Sequence, residues 1–291
     1  MNNPLFSGVC TALVTPFING QINYPILERL IRRQIQSGIT AIVISGTTGE
    51  SATLSDEEKL TLYQKAKEYA GNDALIIAGT GSNNTGHAVA LSCAAENCHV
   101  DGLLVVTPYY NKATADGLIQ HYSAIANAVH IPVILYNVPS RTGLDIPVNI
   151  YPALSQIPNI IGVKEANPDV TRITKIKASC PAGFQIWSGN DDQAVPAISL
   201  GASGVISVLS NVLPVQTQAM VQAALAGDFD SAASLQTRLQ PLVEALFCEV
   251  NPIPVKAAMK MIGYDCGECR LPLTPMKQEN LKKLEKTLSE I

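Results

Sequence analysis

Eight runs of consecutive apolar, largely β-branched residues punctuate the chain, at 8–17, 38–46, 74–81, 101–108, 131–139, 160–166, 184–189 and 203–210. Apolar residues on successive rather than alternate positions are what a parallel strand buried on both faces requires. Their apolar stretches begin near 9, 39, 74, 101, 131, 160, 184 and 203, which puts neighbouring starts 19 to 35 residues apart. A crossover helix with its loops needs about a dozen residues, so each interval has room for one.

The intervals carry helical spacing. Asn23 stands as an N-cap before Pro25, Ile26/Leu27, Leu30/Ile31 and Ile35 share one face, and Gly38 supplies the stop. Ser55 with Glu58 forms a capping box, and Thr114, Asp145, Pro147 and Asp169 read as further start signals. After residue 211 the strand pattern ceases and four helical segments follow, the first of them serving as an eighth crossover helix. The expected fold is α/β: a (β/α)8 TIM barrel over residues 1–227 with a small C-terminal helical domain over 228–291. An open doubly wound sheet is the alternative, but VTPFINGQ after the first strand is not the glycine-rich phosphate loop such sheets usually carry.

Composition narrows the field further. With 291 residues, 47% apolar and 15% charged, the chain can bury a large core. A net charge of −4 argues against a nucleic-acid surface, which needs a basic stripe. Seven Cys, an odd number, do not suggest a secreted disulfide framework. MNNPLFSGVC has neither a basic n-region nor a long apolar h-region, so no signal peptide is expected and a cytoplasmic location is.

In a barrel of this kind the chemistry sits at the C-terminal strand ends. Those ends carry Thr47, Thr48 and Glu50 after strand 2, Gly81 and Asn83 after strand 3, and Thr107, Tyr109 and Tyr110 after strand 4. Strand 5 brings Tyr136, Asn137 and Arg141, strand 6 Lys164 and Glu165, strand 7 Gly189, Asn190 and Asp191, and strand 8 Ser207. Lys164 is the outlier, because it follows Ile160, Ile161 and Val163 inside an apolar strand, whereas Lys59, Lys65, Lys67, Lys282 and Lys283 fall where a solvated head is expected. Apolar surroundings disfavour an ammonium, and imine formation requires the neutral amine. A salt bridge to Glu165 or Glu50 is the competing role.

Tyr136, at the end of the neighbouring strand, could move a proton or simply pack its ring. The Gly46–Gly49 turn, with Thr47 and Thr48, suits a carboxylate held by backbone N–H groups. Arg141, the only arginine expected near the mouth, could take a second carboxylate bidentately or serve structurally. The four His are dispersed and Cys266-Gly-Glu-Cys269 lacks a second ligand pair, so no metal site is expected. Asp191 and Asp192 read as a cap for the next helix rather than as a cation site.

Taken together, GTTGES (46–51), TPYYNK (107–112), YNVPSRTG (136–143), GVKEA (162–166), SGND (188–191), GVISV (204–208) and NPIPVK (251–256) resemble the dihydrodipicolinate (4-hydroxy-tetrahydrodipicolinate) synthase family of Schiff-base pyruvate aldolases, in order and over nearly the whole chain. The resemblance implies condensation of pyruvate with L-aspartate 4-semialdehyde in lysine and diaminopimelate biosynthesis. It implies no metal or organic cofactor, and a homotetramer. It makes Lys164 the Schiff-base lysine and Tyr136 the general acid/base. Thr47 and Tyr110 complete a proton relay, with Tyr110 reaching into a neighbouring subunit. Thr48 and the backbone at Ile206 hold pyruvate, Arg141 receives the semialdehyde carboxylate, and Gly189 lies beside the imine.

N-acetylneuraminate lyases and 2-keto-3-deoxy sugar-acid aldolases share the lysine and tyrosine but generally lack the arginine in the loop after that tyrosine. A barrel that only binds ligand is a third reading, which the complete Thr/Tyr/Tyr/Arg/Lys set disfavours. Regulated family members also bind lysine near the first tyrosine of the pair, and Ser51, Ala52, Asn83 and Tyr109 agree with that allosteric site. Asp56, Lys59 and His87 depart from it. The expectation is weak or absent lysine inhibition, on the argument that a carboxylate for the ligand's ammonium is missing and Lys59 adds a like charge.

Overall fold

The computed structural model describes residues 5–291; the first four residues of the stretch examined for a leader lie outside the described residues. Eight parallel strands close into a barrel: β1 (Gly8–Ala12), β2 (Ala41–Ile44), β3 (Leu75–Gly79), β4 (Gly102–Val106), β5 (Val133–Asn137), β6 (Ile160–Glu165), β7 (Gln185–Ser188) and β8 (Gly204–Ser207). Closure is made by β1 pairing with both β2 and β8. Seven crossovers and the final return are helical: α1 (Tyr24–Gln36), α2 (Asp56–Ala70), α3 (Thr85–Asn97), α4 (Ala115–Asn127), α5 (Tyr151–Leu154), α6 (Arg172–Ser179), α7 (Ala194–Ser199) and α8 (Pro214–Leu225). Three more helices follow, α9 (Phe229–Leu246), α10 (Ile253–Met261) and α11 (Gln278–Ser289). Among the described residues no helix is long and apolar enough to cross a membrane.

The local signals work as physics predicts. Asn23 accepts from the Ile26 N–H at 3.3 Å, the Ser55–Glu58 box is closed in both directions, and Thr114 caps α4 through the Gly117 N–H. Three expectations need correction. The first run is a strand only to Ala12; Phe17–Ile18 instead pairs antiparallel with Gln21–Ile22. Asp145 starts no helix, because its carboxylate is taken by Asn137 and Arg172. The β5–β6 crossover is no single long helix but breaks into a helical turn at Pro139–Thr142, a 3-10 turn at Val148–Ile150 and the short α5.

Residues on the strands divide between two cores. The larger lies between strands and helices. The smaller fills the barrel and contains Cys10, Val43, Ile77, Leu104, Ile134, Tyr136, Trp187 and Ile206. Phe6 stacks on Trp187 with centroids 4.7 Å apart and is part of the same inner cluster. Side chains that share a register row across parallel strands share a face. Lys164 is paired with Tyr136 on one side and Trp187 on the other, so it faces the same interior.

Candidate active site

Lys164 is only 5% exposed, and its amine lies 4.4 Å from the centroid of the Tyr136 ring. The alternative salt bridge is absent, because both suggested partners are engaged elsewhere. Glu165 accepts from the Arg172 Nε at 3.2 Å, from the Asn137 amide at 2.7 Å and from the Asn167 N–H at 2.9 Å. Glu50 is held by the Lys256 amine at 2.6 Å and by the Arg270 N–H at 2.8 Å. Burial pushes the Glu165 carboxyl upward, against the Arg172 charge and its hydrogen bonds.

Gly189 borders the lysine closely enough to explain its identity. A Cβ there would stand 2.6 Å from the Ala166 Cβ and 3.1 Å from the Lys164 Cε. Ile206 is fully buried in the inner cluster with Tyr136. The next turn is fastened by Asp191, whose Oδ2 accepts from the Val208 and Leu209 N–H groups at 2.9 Å each. Asp191 therefore caps the turn after β8 rather than the helix that follows it in sequence. Burial raises its carboxyl pKa, and the nearby Lys164 charge opposes the rise.

A cleft of about 710 Å³ opens at Tyr136, while Lys164, Thr48, Gly189 and Ile206 are not on its wall. Such a volume suits a small-molecule site. Thr47, Tyr136 and Arg141 line it, as do Ser51, Ala52 and Tyr109 together with Asp56, Lys59 and His87. In the Gly46–Gly49 turn, the N–H groups of Gly49 and Ser51 both return to the Gly46 carbonyl and that of Glu50 to the Thr47 carbonyl. Of the donors foreseen for a carboxylate, that of Gly49 thus closes the turn itself. Ser45 and Glu50, at either end, have φ of 58° and 57°, a left-handed geometry that concentrates at functional turns.

Thr48 is buried and receives a hydrogen bond from the Asn251 amide at 3.0 Å. Arg141 donates through Nη2 to the Asn251 carbonyl at 3.1 Å and is otherwise exposed to the cleft. Asn83 and Tyr110 are also absent from the cleft wall. The Asn83 carbonyl accepts from Asn111. Tyr110 is 89% exposed, has φ of 72°, and lies outside the cleft of its own chain.

Several residues at the mouth escaped the sequence reading. Arg172 is a second arginine there, buried between Glu165, Asp145 and the Ile146 carbonyl. Lys59 is not a solvated lysine; it is 8% exposed, 3.6 Å from Asp56. His87 meets Asp56 through Nε2 at 2.8 Å and Ser82 through Nδ1 at 3.1 Å, so a carboxylate is present in the cleft but already shared. Asn251 and Lys256 arrive from beyond residue 228, some two hundred positions from Thr48 and Glu50; NPIPVK marks them in the sequence, but nothing local gives either a role. All seven cysteines are free thiols, Cys266 and Cys269 included.

Comparison with known proteins agrees with this geometry. The model of the Dihydrodipicolinate synthetase family matches residues 5–291. A 4-hydroxy-tetrahydrodipicolinate synthase of Acetivibrio thermocellus is 46% identical over 290 residues, covering 100% of this chain and 99% of its own. The solved synthase of the methanotroph Methylacidiphilum fumariolicum superposes with a TM-score of 0.96 at 45% identity, covering 98% of this chain and 95% of its own. A chloride-inhibited dihydrodipicolinate synthase from Acinetobacter baumannii, solved in complex with pyruvate, gives a TM-score of 0.95 at 41% identity, with 98% of each chain covered.

Proposed function

The chain belongs to the dihydrodipicolinate synthetase family, and we propose that it condenses pyruvate with L-aspartate 4-semialdehyde to 4-hydroxy-tetrahydrodipicolinate, on the route to diaminopimelate and lysine, through a Schiff base on Lys164. The observation that carries this reading is an interior amine with no carboxylate partner among the described residues, laid against the ring of a tyrosine that faces a cleft.

In this mechanism the Lys164 amine attacks the keto carbon of pyruvate, and the keto oxygen leaves as water. The resulting iminium is an electron sink, so the methyl group gives up a proton and becomes an enamine carbon. That carbon bonds to the aldehyde carbon of the semialdehyde, whose oxygen takes a proton. The semialdehyde's amino group then adds to the imine carbon and expels Lys164, closing the ring and restoring the free amine. Tyr136 is the proton carrier, with Thr47 as its relay partner. Thr48 and the Ile206 backbone hold the pyruvate carboxylate, Arg141 holds that of the semialdehyde, and Gly189 leaves room beside the imine.

Assembly as a homotetramer belongs to the same reading. A tyrosine held exposed in a left-handed conformation, away from its own cleft, suits a side chain that completes the relay of a neighbouring copy. Residues 1–227 are then the catalytic barrel and 228–291 the helical domain that seats Asn251 and Lys256 against it, in a cytoplasmic enzyme.

Borohydride reduction in the presence of pyruvate, followed by peptide mapping, tests the proposal. A pyruvyl adduct is expected on Lys164, and its absence would overturn the Schiff-base mechanism. Rates with aspartate semialdehyde should exceed those with N-acetylmannosamine, and the reverse order would point to a lyase.

A further inference from the structure

We propose that Asn251 is the residue that recognises the α-amino group of the aldehyde substrate: its side-chain oxygen accepts from the ammonium while Arg141 takes the neighbouring carboxylate. The inference rests on the condensation proposed above and names a determinant of its specificity.

Asn251 lines the cleft and is only 5% exposed. Its Nδ2 donates to Thr48 Oγ1 at 3.0 Å, and its main-chain oxygen accepts from Arg141 Nη2 at 3.1 Å. It therefore ties together the two loops that would hold the two substrates. Its Oδ1 is buried and has no partner among the described residues. A buried acceptor without a donor is costly, and one that lines a cleft calls for a ligand to supply the donor. The remaining donors of the Arg141 guanidinium are adjacent, so the two groups together offer a cation for a carboxylate and an acceptor for a proton donor. An α-amino acid presents both on one carbon. A polyhydroxylated aldehyde would bring hydroxyls there but no carboxylate for the arginine.

The choice of an amide also suits the chemistry. A carboxylate would hold the ammonium as an ion pair and stabilise its charged form. The neutral Oδ1 can orient the same nitrogen while leaving it able to lose a proton before it attacks the imine carbon.

The test compares the intact wild-type enzyme with Asn251→Ala and Asn251→Asp. The readouts are the KM for aspartate semialdehyde and the inhibition constant of its des-amino analogue, 4-oxobutanoate. Asn251→Ala should weaken the amino aldehyde about ten-fold more than the analogue, the size of a hydrogen bond to a charged group. Asn251→Asp, which keeps the acceptor, should preserve the discrimination. Equal weakening of both ligands in Asn251→Ala would reduce the residue to a brace for Arg141 and Thr48 and overturn the proposal. Loss of discrimination in Asn251→Asp would overturn it as well, and if the alanine variant does not fold, Asn251→Asp and Asn251→Ser decide. Pyruvate labelling of Lys164 separates the two levels: no labelling in the wild type sinks the condensation, whereas normal labelling with equal weakening sinks only the role of Asn251.

Discussion

Lys164 and Tyr136 are register partners on adjacent strands, and the lysine amine lies 4.4 Å from the tyrosine ring centroid. Parallel pairing alone puts them on one face, and the barrel turns that face inward. A carboxylate is the partner a buried ammonium would ordinarily need, and here Glu165 and Glu50 are spent on Arg172 and Lys256 and Asp191 is turned to the Val208 and Leu209 N–H groups. The pair is arranged for chemistry rather than for charge neutralisation.

Removing the nucleophile should abolish turnover. Lys164→Ala is expected to show no detectable condensation in a coupled rate assay while melting near the wild-type temperature. Tyr136→Phe should lower kcat by about 10²- to 10⁴-fold, the usual worth of a positioned acid/base. Borohydride labelling of Lys164 should survive in that variant, at a reduced rate. Wild-type kcat in either variant would refute the assignment.

Gly189→Ala should disturb the lysine together with the chain at Ala166. The added Cβ would stand 2.6 Å from the Ala166 Cβ and 3.1 Å from the Lys164 Cε, so one of them must move. A displacement of about 1 Å at a reacting group costs on the order of 10²-fold in rate. Single-turnover kinetics with pyruvate should locate that loss in adduct formation.

Lysine at millimolar concentration should inhibit weakly or not at all. The Asp56 carboxylate is shared between His87 at 2.8 Å and Lys59 at 3.6 Å, which leaves it poorly placed to receive another ammonium. The Lys59 charge adds repulsion. An inhibition titration is decisive, and strong cooperative inhibition would show that these groups rearrange around the ligand.

The Lys256–Glu50 pair is buried on both sides, with side chains 3% and 1% exposed. Lys256→Met should cost about 3–5 kcal/mol, because it strands the Glu50 charge. Lys256→Met combined with Glu50→Gln should recover part of that loss. Urea denaturation of the single and double variants measures the difference.

Acid should loosen the contact between the C-terminal segment and α2. The hydrogen bond from Arg270 holds the Glu58 carboxyl below its ordinary 4.5. A depressed carboxylate stabilises the fold above its unfolded value, and that contribution is lost as pH falls through the folded one. Below pH 4.5 the wild type should therefore lose stability more steeply than Glu58→Gln, as melting temperature against pH would show.

Much of the architecture can be read along the chain. β5, with every residue buried, shows why: a parallel strand covered by helices outside and side chains inside has no polar face, so its apolar run is continuous. Capping is equally local, and Ser55 needs only Glu58 to announce α2. The same reasoning failed at Asp145 and Lys59, whose partners come from other elements.

The alternation of strands and helices, the strand ends that carry chemistry, and the oddity of Lys164 were thus determined by the order of residues, since each depends on neighbours a few positions away. Tertiary structure alone decided which carboxylates neutralise which cations, that Asn251 meets Thr48 and Arg141, and that Tyr110 points away from its own cleft. Those outcomes depend on closing the barrel and seating the last helices over its mouth. Closure joins side chains as far apart in sequence as Glu50 and Lys256, and no periodicity records a contact of that range.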